Sequence, residues 1–168
     1  MNMSISKFFA DQVYDILSSL DLELNTIKEE PDEYYLFSND VVSDDSFYRS
    51  LVEIVQEDKS ANVIICCSKS IQENIPSVLE LVNRLNAKTR QGAFIYNFED
   101  GSIISQHSVY LTDDMNTFEH QLLHAIYLRF NLLDYYMPAF LAVSEGKDVV
   151  DVLAEMNHYM NDGGTVTN

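Results

Sequence analysis

"GAFIYNFEDGSIISQHSVYL", Gly92 to Leu111, is the stretch whose reading decides the fold. Apolar and polar residues alternate on both sides of Asp100-Gly101, and a period of two marks a half-buried strand. Asp-Gly supplies the positive backbone angles that a tight two-residue turn requires, so the stretch reads as an antiparallel hairpin. Phe94, Tyr96 and Phe98 fall on one face of its first strand, and Ile103, Ser105, His107 and Val109 share a face of the second. Such a hairpin calls for an antiparallel sheet with one face set aside for helices.

The flanking segments extend this pattern. Upstream, Pro76 is tolerated in a first helical turn, and Val78, Leu81, Val82 and Leu85 mark one face of a helix ending near Lys88. "SFYRSLVEIVQ" (46–56) and "ANVIICCS" (61–68) are rich in β-branched and aromatic residues and flank the polar "EDKS", a second hairpin. The acidic segment 21–46 is expected to hold one strand, around Tyr34 to Phe37, and residues 4–20 an opening helix with Phe9, Val13, Ile16 and Leu20 at helical spacing. Downstream, Thr117 is a suitable cap for a long helix through "FEHQLLHAIYLRFNLLDYYM", with Pro138 an irregularity near its end and Gly146 a stop. A short helix follows, with Val149, Val152, Leu153 and Met156 on its apolar side. The expected class is α+β, an antiparallel sheet with helices packed on it in the order α-β-β-β-α-β-β-α-α.

Length and charge bound the function. A chain of 168 residues, 46% hydrophobic, fits one domain, 1–159, followed by a disordered tail, 160–168. The net charge of −17, from 27 acidic against 10 basic residues, repels phosphate backbones and anionic membrane surfaces, which argues against nucleic acid as a partner. "MPAFLAV" (137–143), the longest uncharged apolar run of the C-terminal third, is far short of the roughly 20 residues needed to cross a bilayer. At the N-terminus Asp11 and Asp15 interrupt any signal-like run, so a cytoplasmic location is expected. Cys66 and Cys67 are adjacent in a strand that would turn them to opposite faces, a poor geometry for a disulfide.

No constellation of catalytic type emerges. His120 and His124 have the i, i+4 spacing of two metal ligands, but Glu119 points about 100° away on the helix and no third ligand follows. The acidic pairs lack a calcium-loop pattern, the serines lack a nucleophile elbow, and the five glycines form no phosphate cradle. Neither metal nor cofactor nor enzymatic activity is therefore expected.

What remains is an apolar surplus. Residues 118–143 carry more aromatic and aliphatic side chains than one helix face buries against its own sheet. The excess calls for a second surface, with Tyr127, Phe130, Tyr135, Tyr136, Met137 and Phe140 as the candidate dimer or protein-binding residues. An alternative places a small-molecule pocket between the last long helix and the sheet, at Phe94, Tyr96 and His107.

Three stretches in order carry a resemblance. "VLELVNRLNAKTRQGAFIYNFEDGSI" is similar to a helix ending in a leucine-asparagine pair, then a G-x-F strand and an E-D-G hairpin; "LDYYMPAFLAV" to a D-x-Y-x-P-A element; and "EGKDVVDVLAEM" to a closing helix. Together they resemble the YbjN-like family, described as bacterial sensory transduction regulators. The resemblance implies a fold like that of type III secretion chaperones, small paired α+β subunits, and offers no catalytic residues. The expectation is a noncatalytic homodimeric regulatory or chaperone-like module with a protein client.

Overall fold

The computed structural model describes residues 5–19, 25–29, 35–43, 46–55, 60–110, 112 and 114–161. In chain order the elements are α1 (Ile5–Ser18), β1 (Asn25–Glu29), β2 (Tyr35–Ser43), β3 (Ser46–Val55), β4 (Ser60–Cys67), α2 (Ile75–Lys88), β5 (Ala93–Tyr96), β6 (Ile103–Tyr110), α3 (Met115–Ser144) and α4 (Val149–Asn161). The α+β class stands, with one strand more than expected. The segment 21–46 holds both β1 and β2, paired antiparallel, where a single short strand was predicted. Its acidic residues hid the pairing, because charge masks the alternation that marks a strand.

The six strands form one antiparallel sheet in the order β1-β2-β3-β4-β6-β5. From β5, at the edge, the chain turns back so that β6 enters between β5 and β4. Register sets the inward face: Tyr48, Val52 and Ile54 of β3 lie opposite Cys67, Val63 and Ala61 of β4, and all six are buried. Along β4 burial alternates in every step from Ala61 to Cys67, so Cys67 joins the core while Cys66, half-buried, faces the other way. Both cysteines are free thiols.

The helices pack on that inward face: α1 against β2 and β3, α3 against β4 and β6, and α2 against β5 and α3. The expected face of α2, Val78, Leu81, Val82 and Leu85, is its buried one. Val149, Val152 and Leu153 of α4 are likewise buried.

Three local expectations change. The hairpin centred on Asp100-Gly101 has no two-residue turn: Tyr96 pairs with Ile103, and the Asn97 N–H donates to the Ser102 carbonyl at 2.9 Å, enclosing residues 98–101. Side chains favour this wider loop, since Asn97 Oδ1 accepts from the Glu99 N–H and Asp100 Oδ1 from the Ser102 N–H. Phe98 consequently leaves the strand face and is 72% exposed. The cap of α3 is Asp114, whose carboxylate accepts from the N–H and hydroxyl of Thr117, the residue predicted to be the cap. Finally, α3 continues through Pro138 as one helix of 30 residues, with the proline on its exposed side. Gly146 ends it as expected, with its N–H on the Val143 carbonyl and that of Lys147 on Ala142.

Helix α4 reaches Asn161, past the predicted domain end at 159; the rest of the predicted tail, 162–168, lies outside the described residues. Among the described residues no helix is long and apolar enough to cross a membrane.

Candidate functional site

Helix α3 packs against β4, β6, α2 and α4, so much of its apolar surplus is taken up inside the chain. Phe118, Leu122, Ala125, Arg129, Leu133, Met137 and Phe140 are buried, following the i, i+3, i+4 stripe. Two of the six predicted surface residues are thereby corrected: Met137 and Phe140 belong to the core, Phe140 with its ring 5.9 Å from that of Phe94. Phe130 is partly buried with its ring edge on Tyr48, and Tyr136 stacks edge-on with Phe94 at 5.7 Å. Tyr127 is the exposed one, at 56%.

The predicted pocket at Phe94, Tyr96 and His107 is also corrected, since aromatic side chains fill that space. Phe94 and Tyr96 are buried, and the Tyr96 hydroxyl donates to the Ile71 carbonyl at 2.7 Å. Asn86 of α2 clasps Phe94 from the edge, its Nδ2 donating to the Phe94 carbonyl and its Oδ1 accepting from the Phe94 N–H. One side-chain amide thus takes the place of a neighbouring strand, which blunts the free edge of β5. His107 lies at the margin, where partial burial, and then the charges of Arg129 and His124, hold its pKa below the usual 6.5.

The folded state therefore binds fewer protons than the unfolded one just below that pH. Stability from His107 is complete above about 6.5 and falls as pH drops toward the folded-state pKa. Replacing His107 by glutamine is expected to flatten the decline in Tm between pH 7.5 and 5.5; an unaltered slope in thermal melts would place the titrating group elsewhere.

Where α4 folds back along the end of α3, the two helices leave an open groove of about 310 Å³. Ala139 and Ala142, with Pro138, line it from α3, and their small size keeps it open; Val152 and Met156 line it from α4. Tyr135 forms part of the wall, its ring 4.9 Å from that of Tyr136 and its hydroxyl donating to the Met156 carbonyl. Lys147 and Glu155 supply one charge of each sign to a lining that is otherwise mostly apolar. Such a groove can seat an aliphatic or aromatic side chain, and methionine lets it adapt in shape.

A second hollow, about 470 Å³, wraps the end of the sheet and is lined by Tyr48, Arg49, Cys66, Cys67, Ser68, Ser70, Asp100 and Ser102. Ser102, whose N–H donates to Asp100 Oδ1, holds the Asp100 carboxyl below its ordinary range, whereas burial pushes the Cys67 thiol up and keeps it protonated. The Tyr48 hydroxyl donates to Asp134 Oδ1 at 2.8 Å, tying this end of the sheet to α3.

No family model matches the chain, and no curated protein matches it.

His120 and His124 are both exposed on α3, and among the described residues no group of three or more His, Cys, Asp or Glu converges to hold a metal. The residue that sequence reading missed is Arg129. It occupies a core position of α3 with no exposed surface, and burial lowers its pKa. A signal was present: Ala125, Arg129 and Leu133 are successive steps of the buried stripe, so helical periodicity alone places the arginine inside.

Proposed function

We propose that the chain is a noncatalytic protein-binding module, a bacterial regulatory or chaperone-like subunit that works as a homodimer and seats an apolar segment of a protein client between α3 and α4. The groove floored by Ala139 and Ala142 carries this reading, because it is a concave apolar surface at the stretch where the sequence concentrates its aromatic residues. The charge of −17 favours a basic or amphipathic client, drawn in by the surrounding potential and held by apolar contact. The resemblance to the YbjN-like family, with its type III secretion chaperone-like fold, supports pairing and a cytoplasmic setting. The motif residues have packing roles compatible with it: Asn86 clasps Phe94, and Asp134 accepts from Tyr48.

The test uses a basic amphipathic helical peptide and the full chain. Half-buried Ala142 replaced by phenylalanine fills the groove and is expected to weaken peptide binding at least tenfold with little change in Tm. Tyr127→Glu, on the exposed side of the same helix, is expected to halve the mass seen by light scattering. Equal peptide affinity of wild type and Ala142→Phe, with a monomeric wild type, would overturn the reading.

The hollow at the sheet end favours a second reading, a small-molecule-sensing domain, since its volume falls in the roughly 300–1,000 Å³ typical of ligand pockets. A metabolite that raises Tm in wild type and loses that effect in Ser68→Trp would select it.

A further inference from the structure

Arg129 is the one buried charged side chain among the described residues, and it is buried without a counter-charge. In a chain with 27 acidic residues, no described carboxylate pairs with it: Nη2 donates to the Gln91 carbonyl at 2.6 Å, while Nε and Nη1 have no acceptor. A guanidinium does not shed its proton at physiological pH, so the charge persists inside the fold. A buried charge is tolerated when it is paired and hydrogen-bonded, and here two of the three guanidinium nitrogens have no acceptor. Its titratable neighbours do not supply the missing charge, because His107 and His124, whose charges act on this site, are neutral or cationic and never anionic. Ser105, one inward-facing position along β6 from His107, has a fully buried hydroxyl without a partner.

On one side the guanidinium lies directly under the exposed connection Arg90–Gly92. Gly92 comes so close that a Cβ there would stand 2.8 Å from Nη1 and 2.9 Å from Cζ. A short, exposed run of backbone is therefore what covers the cation, and its contribution is one neutral carbonyl.

We propose that Arg129 is the receptor of a small oxyanion, a carboxylate or a phosphate, which enters beneath the Arg90–Gly92 connection and replaces the Gln91 carbonyl as acceptor. An oxyanion brings both the missing charge and several lone pairs, and a carboxylate or phosphate can accept two parallel N–H bonds from one guanidinium where a carbonyl oxygen accepts from one nitrogen here. The site is separate from the groove between α3 and α4 and stands whether or not a protein client binds there.

The full chain is titrated with inorganic phosphate and with acetate, each against potassium chloride at matched ionic strength, because a strongly acidic protein gains stability from any salt. At a hundredfold excess over Kd one of the two oxyanions is expected to raise Tm by about 5–10 °C above chloride. Whichever does so identifies the ligand chemistry. Arg129→Met, which sets an apolar chain of similar length in the same slot, is expected to lose that excess. The Arg129 Nε–H resonance in 15N spectra of wild type reads the same event without a substitution and is expected to move with the oxyanion and not with chloride. Equal effects of all three salts, an Arg129→Met protein that responds like wild type, or a stationary Nε–H resonance would each overturn the proposal.

Discussion

Phe140→Ala is expected to destabilise the protein by about 3–5 kcal/mol, lowering Tm by roughly 10 °C or more for a chain of this size. Phe140 has no exposed surface, and its ring meets Phe94, which in turn stacks on Tyr136. Removing it takes one wall from the contact between α3 and the sheet edge, and the cavity does not collapse readily while Asn86 pins Phe94 through two hydrogen bonds. Thermal or urea unfolding measures the loss. A different outcome is equally readable: a variant with wild-type Tm but altered mass in light scattering would return Phe140 to a subunit interface, as the sequence alone predicts.

That contrast shows where sequence reading loses its hold. Strand and helix periods placed the main elements because burial enforces them: β3, β4, α2 and β6 start and stop within about two residues of their expected ends. The segment 21–46 was misread because the period of two is carried by apolar residues, and there acidic ones interrupt it. The hairpin loop was misread for a subtler reason. Asp100-Gly101 satisfies the rule for a two-residue turn, but Asn97 and Asp100 each hold a backbone N–H two residues on, and those bonds define a wider loop.

The candidate sites were less legible, because they depend on which elements meet. Counting apolar residues on α3 gave a surplus only under the assumption of a single partner, the sheet. With α2 and α4 also packed against it the surplus falls, and the open apolar surface moves to the seam with α4. Arg129 could be placed inside by periodicity, yet its lack of a counter-charge is a fact of three dimensions. The same holds for Asn86: nothing local says that an asparagine in the last turns of a helix will serve as the neighbour of an edge strand.

Gly92→Ala is expected to be as damaging as the loss of Phe140, for reasons that belong to the backbone. Gly92 has φ +71°, a conformation that costs a residue with a side chain about 1–3 kcal/mol. A Cβ there would also lie 2.2 Å from the backbone carbonyl oxygen of Gln106, on the strand paired with β5. The guanidinium of Arg129 can swing aside, but the Gln106 carbonyl cannot without parting β5 from β6, so the total should exceed the conformational cost by at least about 1–2 kcal/mol, the order of a lost backbone hydrogen bond. Gly146 provides the control. Its φ is +101°, also in the positive range that disfavours alanine, but among the described residues the one atom within 4 Å of its Cβ position is Asn74 Nδ2 at 3.8 Å. Gly146→Ala therefore reports the conformational cost alone, and the difference between the two variants in urea midpoint isolates the close approach at Gly92. Equal losses would mean that β5 and β6 can separate freely at this point, and the cover over Arg129 would then be looser than the distances require. A larger loss at Gly92 would mean that this glycine is demanded by the meeting of β5, β6 and the buried guanidinium, a reason for the G-x-F pattern that neither turn chemistry nor helix capping supplies.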